Sequence, residues 1–306
     1  MDTGQDFAIY NMDCVMGLRE HVADNSVGYS IFSPPFASLY TYSASPFDMG
    51  NTRNDEEFYA QFKFLIDELY RVTMEGRNLS FHCMLLPSTI QHNGVIGLRD
   101  FRGELIRMFV DAGFVFHSEV VIWKDPVTAM QRTKAIGLLH KQLVKDSCMS
   151  RQGIPDYLIT MHKPGKNPEP VAGPLTDYVG DDPTLNATKD KWNRDEYRDS
   201  INIWQRYASP VWMDINPSDT LQKESAREHE DEKHICPLQL QVIARGLQLW
   251  SNPNDLVLSP FMGIGSEGYE ALRLGRRFVG FELKESYYKQ AKQNLLNVAV
   301  QPSLFE

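Results

Sequence analysis

Apolar and polar positions alternate in blocks at both ends of the chain. Val27–Phe32 is an apolar run of strand length. It stops at Ser33-Pro34-Pro35-Phe36, where two prolines that cannot donate to a ladder end it. Residues 37–54 are polar, aromatic and punctuated by Gly and Pro, the pattern of a loop. Asp55–Thr73 predicts a helix, with Phe58, Phe62, Leu65, Ile66, Leu69 and Val72 on one stripe. Asn78–Leu85 predicts a strand, Arg99–Ala112 an amphipathic helix closed by Gly113, and Val115–Trp123 a further strand. A weakly periodic middle follows. Order then returns as helix Pro237–Trp250, strand Asp255–Leu258, helix Glu267–Leu274, strand Phe278–Glu282 and helix Glu285–Leu296. Such alternation predicts one doubly wound α/β sheet built from both ends of the chain, with the middle inserted.

Charge separates the middle from the ends. The 306 residues carry 31 Lys+Arg against 40 Asp+Glu, a net −9. Between Lys124 and Pro170, however, eight basic residues face four acidic ones. An acidic body argues against non-specific binding of nucleic acid, whereas a local basic segment suits phosphate contacts. Residues 171–233 are acidic and rich in Pro, Asn and Asp, which predicts loops and short helices. The composition, 42% hydrophobic and 23% charged, is that of a globular chain and excludes a disordered or fibrous one. No apolar run is long enough to span a bilayer, and the N-terminus lacks an apolar signal core, so neither membrane insertion nor export is expected. Cys14, Cys83, Cys148 and Cys236 form no CxxC or CxxH pair. Free thiols in a reducing cytoplasm are expected, with no metal site.

Two segments carry candidate chemistry. Leu256–Ser266 runs from an apolar strand through Ser259-Pro260-Phe261-Met262 into Gly263-Ile264-Gly265-Ser266. Alternate glycines at a strand's C-terminal end allow close approach of a ligand. Glu282 closes the next strand, where a carboxylate can accept both hydroxyls of a ribose. The glycines alone would mark only a tight turn; Glu282 makes the pattern specific. The second segment is Ser33-Pro34-Pro35-Phe36. Its prolines fix the directions of nearby carbonyls, Ser33 adds a hydroxyl, and Phe36 adds a flat apolar face. A planar amino group could be hydrogen-bonded by Ser33 and the Pro34 carbonyl while its ring stacks on Phe36.

Together these motifs resemble those of the amino-directed DNA methyltransferases that use S-adenosylmethionine. The family's (D/N/S)-P-P-(Y/F/W) corresponds to residues 33–36, and its D-P-F-x-G-x-G-(T/S) to 259–266, with Ser259 where Asp is usual. The catalytic motif precedes the cofactor motif, as in the permuted β-class. The similarity to stand-alone methylases of phages and prophages extends over most of the chain. It implies a Rossmann-like, mostly parallel sheet of seven strands with an inserted target-recognition region. The implied division is a catalytic half at 1–123, target recognition and linker at 124–233, and a cofactor half at 234–306. Asn11-Met12-Asp13-Cys14 resembles the family's opening segment, which implies that Asp13 faces the adenine end of the cofactor. His234–Gln239, with Pro237, resembles a segment that closes the methionine pocket, apart from the inserted Cys236. Arg277–Glu282 with Tyr287 and Ala291 matches the family's next pattern.

The resemblance implies double-stranded DNA as substrate, a flipped target base, a homodimer, and a bacterial or phage restriction-modification setting. Ser33, Pro34, Pro35 and Phe36 are the implied catalytic residues, with Phe36 stacking on the base. The implied cofactor residues are Asp13, Ser259, Pro260, Phe261, Gly263, Gly265, Ser266, Glu282 and Pro237. Tyr40, Gln131, Arg132, Lys134 and Arg151 are of types that reach bases or phosphates. His82, His117 and His140 read as ordinary core or surface histidines. The target is expected to be adenine N6, from the likeness to phage methylases. Cytosine N4 is the alternative, because Ser is commoner there in the first motif position. An RNA or small-molecule methyltransferase, a nucleotide-binding dehydrogenase and a catalytically dead DNA-binding relative are the more distant readings.

Overall fold

The computed structural model describes residues 1–4, 6–36, 48–52, 54–88, 90, 94–133, 136–183, 185, 196–222 and 238–300, with backbone only at 132–133, 136, 196 and 299–300. The N-terminal part contributes β1 (Asp2–Thr3), β2 (Phe7–Tyr10), α1 (Cys14–His21), β3 (Tyr29–Phe32), α2 (Asp55–Val72), β4 (Asn78–Met84), β5 (Leu86–Ser88), β6 (Gly97–Arg99), α3 (Phe101–Asp111) and β7 (Val115–Ile122). The middle contributes α4 (Pro126–Thr133), α5 (His140–Lys145), β8 (Asp156–His162), α6 (Glu196–Tyr207) and β9 (Val211–Trp212). The last part holds α7 (Leu240–Trp250), β10 (Leu256–Ser259), α8 (Ser266–Arg273), β11 (Arg277–Phe281) and α9 (Glu285–Val300).

Local chemistry fixes these elements. The Asn54 side chain accepts the Glu57 amide and caps α2, and Asp55, Glu56 and Glu57 complement its N-terminal dipole. The stripe from Phe58 to Val72 is buried. The helix stops at Thr73, whose extended backbone bridges to Val27. Asp13 and Asp100 cap α1 and α3 in the same way, accepting the amides of Met16 and Gly103.

One sheet of nine strands has the order β1-β2-β11-β10-β3-β4-β8-β7-β9. Strands β2, β11, β10, β3 and β4 run parallel, and β8 lies antiparallel between β4 and β7. This is the doubly wound sheet that the sequence predicts, with two additions to the expected seven strands. Both are two-residue edge strands, β1 and β9, too short to leave a periodic signal. The range 124–233 also contributes to the sheet: β8 pairs over its whole length with β4, from Asn78↔His162 to Met84↔Asp156. Its buried run from Leu158 to Met161 lies within the basic segment. No helix among the described residues is long and apolar enough to cross a membrane.

The acidic stretch after β8 is tied down by Arg245 of α7, which is fully buried. Its guanidinium donates to both Asp214 oxygens (3.0 and 2.7 Å) and to the Val179 carbonyl (2.8 Å). It also lies 4.8 Å from the Tyr207 ring centroid and 4.9 Å from that of Trp212. A buried cation is tolerated only with such pairing, and removing one partner strands the other. Arg245→Met is therefore expected to lower stability by about 3 kcal/mol. The paired change with Asp214→Asn should cost less than the sum of the singles, as measured by urea unfolding midpoints. Strict additivity would exclude this coupling.

Candidate active site

Strands β3 and β10 lie side by side and parallel, with Val257 opposite Tyr29 and Leu258 opposite Ser30. From this pair the sheet is wound outward in both directions, so their shared C-terminal edge is the switch point where open α/β sheets bind ligands. Ser33–Phe36 leave β3 there and Pro260–Gly265 leave β10 there. A cavity of about 1130 Å³, counted out to its open mouth, lies between them. Its walls include Asp13, Ser33, Pro34, Pro35, Phe36, Pro260, Phe261, Gly263, Ser266 and Glu282. Aromatic packing joins the two loops: Phe261 lies 6.2 Å from Phe32 and stacks 6.5 Å from Phe62, while Phe36 meets Phe101 edge-on at 6.3 Å.

The glycine turn owes its shape to backbone conformation. Gly263 and Gly265 have φ of +52° and +88°, the left-handed region that favours glycine. A Cβ on Gly265 would also stand 3.1 Å from that of Ala291 on α9. Gly263 donates its amide to Glu282 Oε2 (3.0 Å), and Lys284 donates to Oε1 (2.8 Å). The carboxylate is thus fixed at the cavity wall, with further lone pairs free to accept. Burial pushes the Glu282 carboxyl up to about 7, despite the amides of Lys284 and Gly263 that favour its charge. Burial pushes Glu267, one residue past Ser266, up to about 8, with Glu282 adding to the effect. The Ser266 hydroxyl is buried at the cavity without a protein partner.

The proline-stiffened turn meets an unexpected group. Ser33 Oγ lies 3.1 Å from His82 Nδ1 on β4. His82 Nε2 lies 3.1 Å from Asp156 Oδ2 on β8, and Lys124 Nζ is 2.6 Å from Asp156 Oδ1. These are ion-pair distances without straight hydrogen-bond alignment. His82 is buried, as the sequence suggests, and lies directly beside Ser33. Asp156 is buried, which raises its carboxyl, but His82 and Lys124 outweigh this and hold it below the usual range.

Other expected residues lie apart. Ser259 is fully buried in β10, its hydroxyl has no partner, and it does not line the cavity. Gly265 acts through its backbone, as the N-cap of α8. Gln131 is exposed on α4, and the Arg151 side chain packs against Gly137; neither lines the cavity. Tyr40, Lys134 and Pro237 lie outside the described residues, as does the Arg132 side chain. The sequence reading did not anticipate Glu267, His82 or Asp156. Only Glu267 had a local signal, its place directly after the glycine turn.

Glu267 and Glu282 ionise near 4.5 when unperturbed. Raised carboxyls contribute stability that is complete below that value and lost as pH rises through about 7 and 8. Ligand-free protein is expected to lose resistance to urea as pH rises from roughly 4.5 to about 8, and to lose no more from these groups above that. Glu267→Gln should flatten this loss, and a wild-type midpoint level across the window would contradict it.

The chain is similar to known DNA methyltransferases in sequence and in fold. The orphan methyltransferase M.BamHII of Bacillus amyloliquefaciens is 22% identical over 288 residues, covering 92% of this chain and 94% of that protein. Type II methyltransferase M1.MboII of Moraxella bovis is 45% identical over 58 residues, which span 19% of this chain and only 22% of its own length. The structure of TTHA0409 from Thermus thermophilus, complexed with S-adenosyl-L-methionine, superposes with a TM-score of 0.65 at 18% identity, covering 97% of this chain and 96% of that one. It shares the fold. The DNA methylase family N6_N4_Mtase matches residues 29–293, from the start of β3 into α9. The chain that folds around this double-loop cavity belongs to that family of DNA methylases.

Proposed function

We propose that the protein transfers a methyl group from S-adenosylmethionine to the exocyclic amino group of a base flipped out of double-stranded DNA. The observation that carries this reading is the single cavity shared by Ser33–Phe36 and the Gly263–Glu282 wall. The residues present fit the methyl donor. Glu282 offers acceptors for ribose hydroxyls, Ser266 an unpaired hydroxyl, and Glu267 a buried carboxylate for a cationic ligand. Asp13, Pro260, Phe261 and Gly263 complete the wall, with Pro237 and Ser259 assigned supporting places by motif alone. Bound there, the donor supplies an electrophilic methyl on its sulfonium.

The chain's own groups position the acceptor. Ser33 Oγ and the Pro34 carbonyl accept the two amino protons, which localises the nitrogen lone pair. Phe36 stacks on the ring and helps offset the few kcal/mol needed to flip it. Positioning of this kind accounts for much of the barrier lowering. The motif order supports the permuted β-class. Target reading falls to the excursion between β7 and β8, with Gln131, Arg132, Lys134 and Arg151, and to Tyr40 after the catalytic turn. The acting form is a homodimer working on bacterial or phage DNA in the cytoplasm. Adenine N6 is the proposed target. Cytosine N4 is the second reading, favoured by the serine at position 33.

Duplex DNA incubated with protein and labelled donor, then digested, should yield N6-methyladenine on mass spectrometry. N4-methylcytosine would select the second reading, and label in RNA alone would overturn both. Phe36→Ala is expected to cut transfer by about 10–100-fold, from ~1–3 kcal/mol of lost stacking, with donor binding kept. Donor affinity should rise as pH climbs through about 7 to 8, because a cationic, hydroxyl-bearing ligand prefers ionised Glu282 and Glu267. Calorimetry in buffers of different ionisation heat would register the released protons; a pH-independent affinity would contradict the assignment.

A further inference from the structure

We infer that His82, oriented by Asp156, keeps the Ser33 hydroxyl turned away from the substrate so that its lone pairs face the amino group, and that it receives the proton the amino group loses. The inference rests on the proposed amino-methyl transfer and names how that site handles its proton.

An ionised carboxylate accepts hydrogen bonds and donates none. The Asp156 carboxylate, 3.1 Å from Nε2 at ion-pair distance though not in straight alignment, attracts the proton of the neutral imidazole to that nitrogen. Nδ1 is then an acceptor, and at 3.1 Å it takes the Ser33 Oγ–H. Ser33 has one proton to donate, so committing it to His82 leaves only acceptor capacity toward the cavity, which is what an amino N–H requires. Lys124 Nζ, 2.6 Å from the other Asp156 oxygen, keeps that carboxylate charged. Among the described residues, the groups around His82 are few. Ser33 faces it from the catalytic turn, with the Phe36 ring edge-on at 6.3 Å. Asp156 faces it from β8, backed by Lys124 beyond β7. The neighbouring Cys83 thiol is buried and held protonated. From α3 and β7, Arg102 pairs with Glu119 and Asp100 and lies over the Tyr157 ring.

The step balances. A bond forms between the amino nitrogen and the methyl carbon as the carbon–sulfur bond breaks and its electron pair returns to sulfur, leaving a neutral thioether. The nitrogen now carries one proton too many. That proton passes to Ser33 Oγ as the serine proton passes to His82 Nδ1. The imidazolium, paired with Asp156, later releases it to water. His82 acts through Ser33 and is a positioning residue.

Two measurements test this. Long-range ¹H–¹⁵N spectra of the ligand-free protein should show His82 protonated at Nε2. In Asp156→Asn, whose amide can donate to the ring, a shift to the Nδ1–H form is expected. Single-turnover methyl transfer at saturating donor, where the pH dependence of donor binding drops out, is then followed across pH. The wild-type rate should rise from the acid side to a plateau. His82→Ala should lose about 10²-fold, with donor affinity unchanged, and should lose the acid limb. His82→Asn keeps an acceptor for Ser33 and should recover part of the rate but not the limb. An Nδ1–H tautomer in the wild type overturns the inference. So does a His82→Ala rate and profile equal to wild type while Ser33→Ala is impaired, a result that leaves the pocket standing. Wild-type turnover in both Ser33→Ala and Phe36→Ala would overturn the pocket and the relay together.

Discussion

The parallel pairing of β3 with β10 governs everything at the site. These strands lie far apart in sequence, yet two ladder rungs, Tyr29–Val257 and Ser30–Leu258, set their ends level. Level ends put a proline-stiffened turn beside a glycine turn, and the space between them is the cavity. A slip by one residue would turn every side chain of one strand to the opposite face. The aromatic rings of Phe32, Phe62 and Phe261 resist such a slip because they interlock across the joint.

Around that joint the molecule spends polar groups where an apolar core would be cheaper to fold. Glu267 is buried beside Glu282, whose charge adds to what burial does to it. Arg245, fully buried, and Asp214, partly buried, form a bonded pair outside the cavity lining. The two cases differ in what completes them. Protein groups satisfy the arginine, whereas the Ser266 hydroxyl is buried without a protein partner beside the two carboxyls that line the same cavity. Unsatisfied burial of this kind marks a site prepared for an occupant.

Much of the architecture was legible because local periodicity and local capping agree with it. The helix beginning at Asp55 and the strands at 29, 78, 115, 256 and 277 all lie within a few residues of their predicted bounds. What was hidden depended on distant partners. Strand β8 lies in a segment whose basic charge suggested a nucleic-acid face, although its own residues are buried. His82 looked like any histidine on an apolar pattern, because its meaning comes from Asp156, which reaches it only through the β4–β8 ladder. Arg245 sits among polar and apolar neighbours that read as an ordinary amphipathic helix, and only the fold shows it enclosed by Tyr207 and Trp212.

The excursion at residues 123–155 hangs from a single rung of the sheet, where Ile122 faces Asp156. Its two ends are therefore clamped together whatever lies between them. Chain-closure entropy grows only slowly with length, so an excursion so clamped can lengthen, shrink or be exchanged at small thermodynamic cost. Sequence drift between residues 125 and 155 is thereby kept apart from the sheet beneath it and from the pair that Lys124 makes with Asp156.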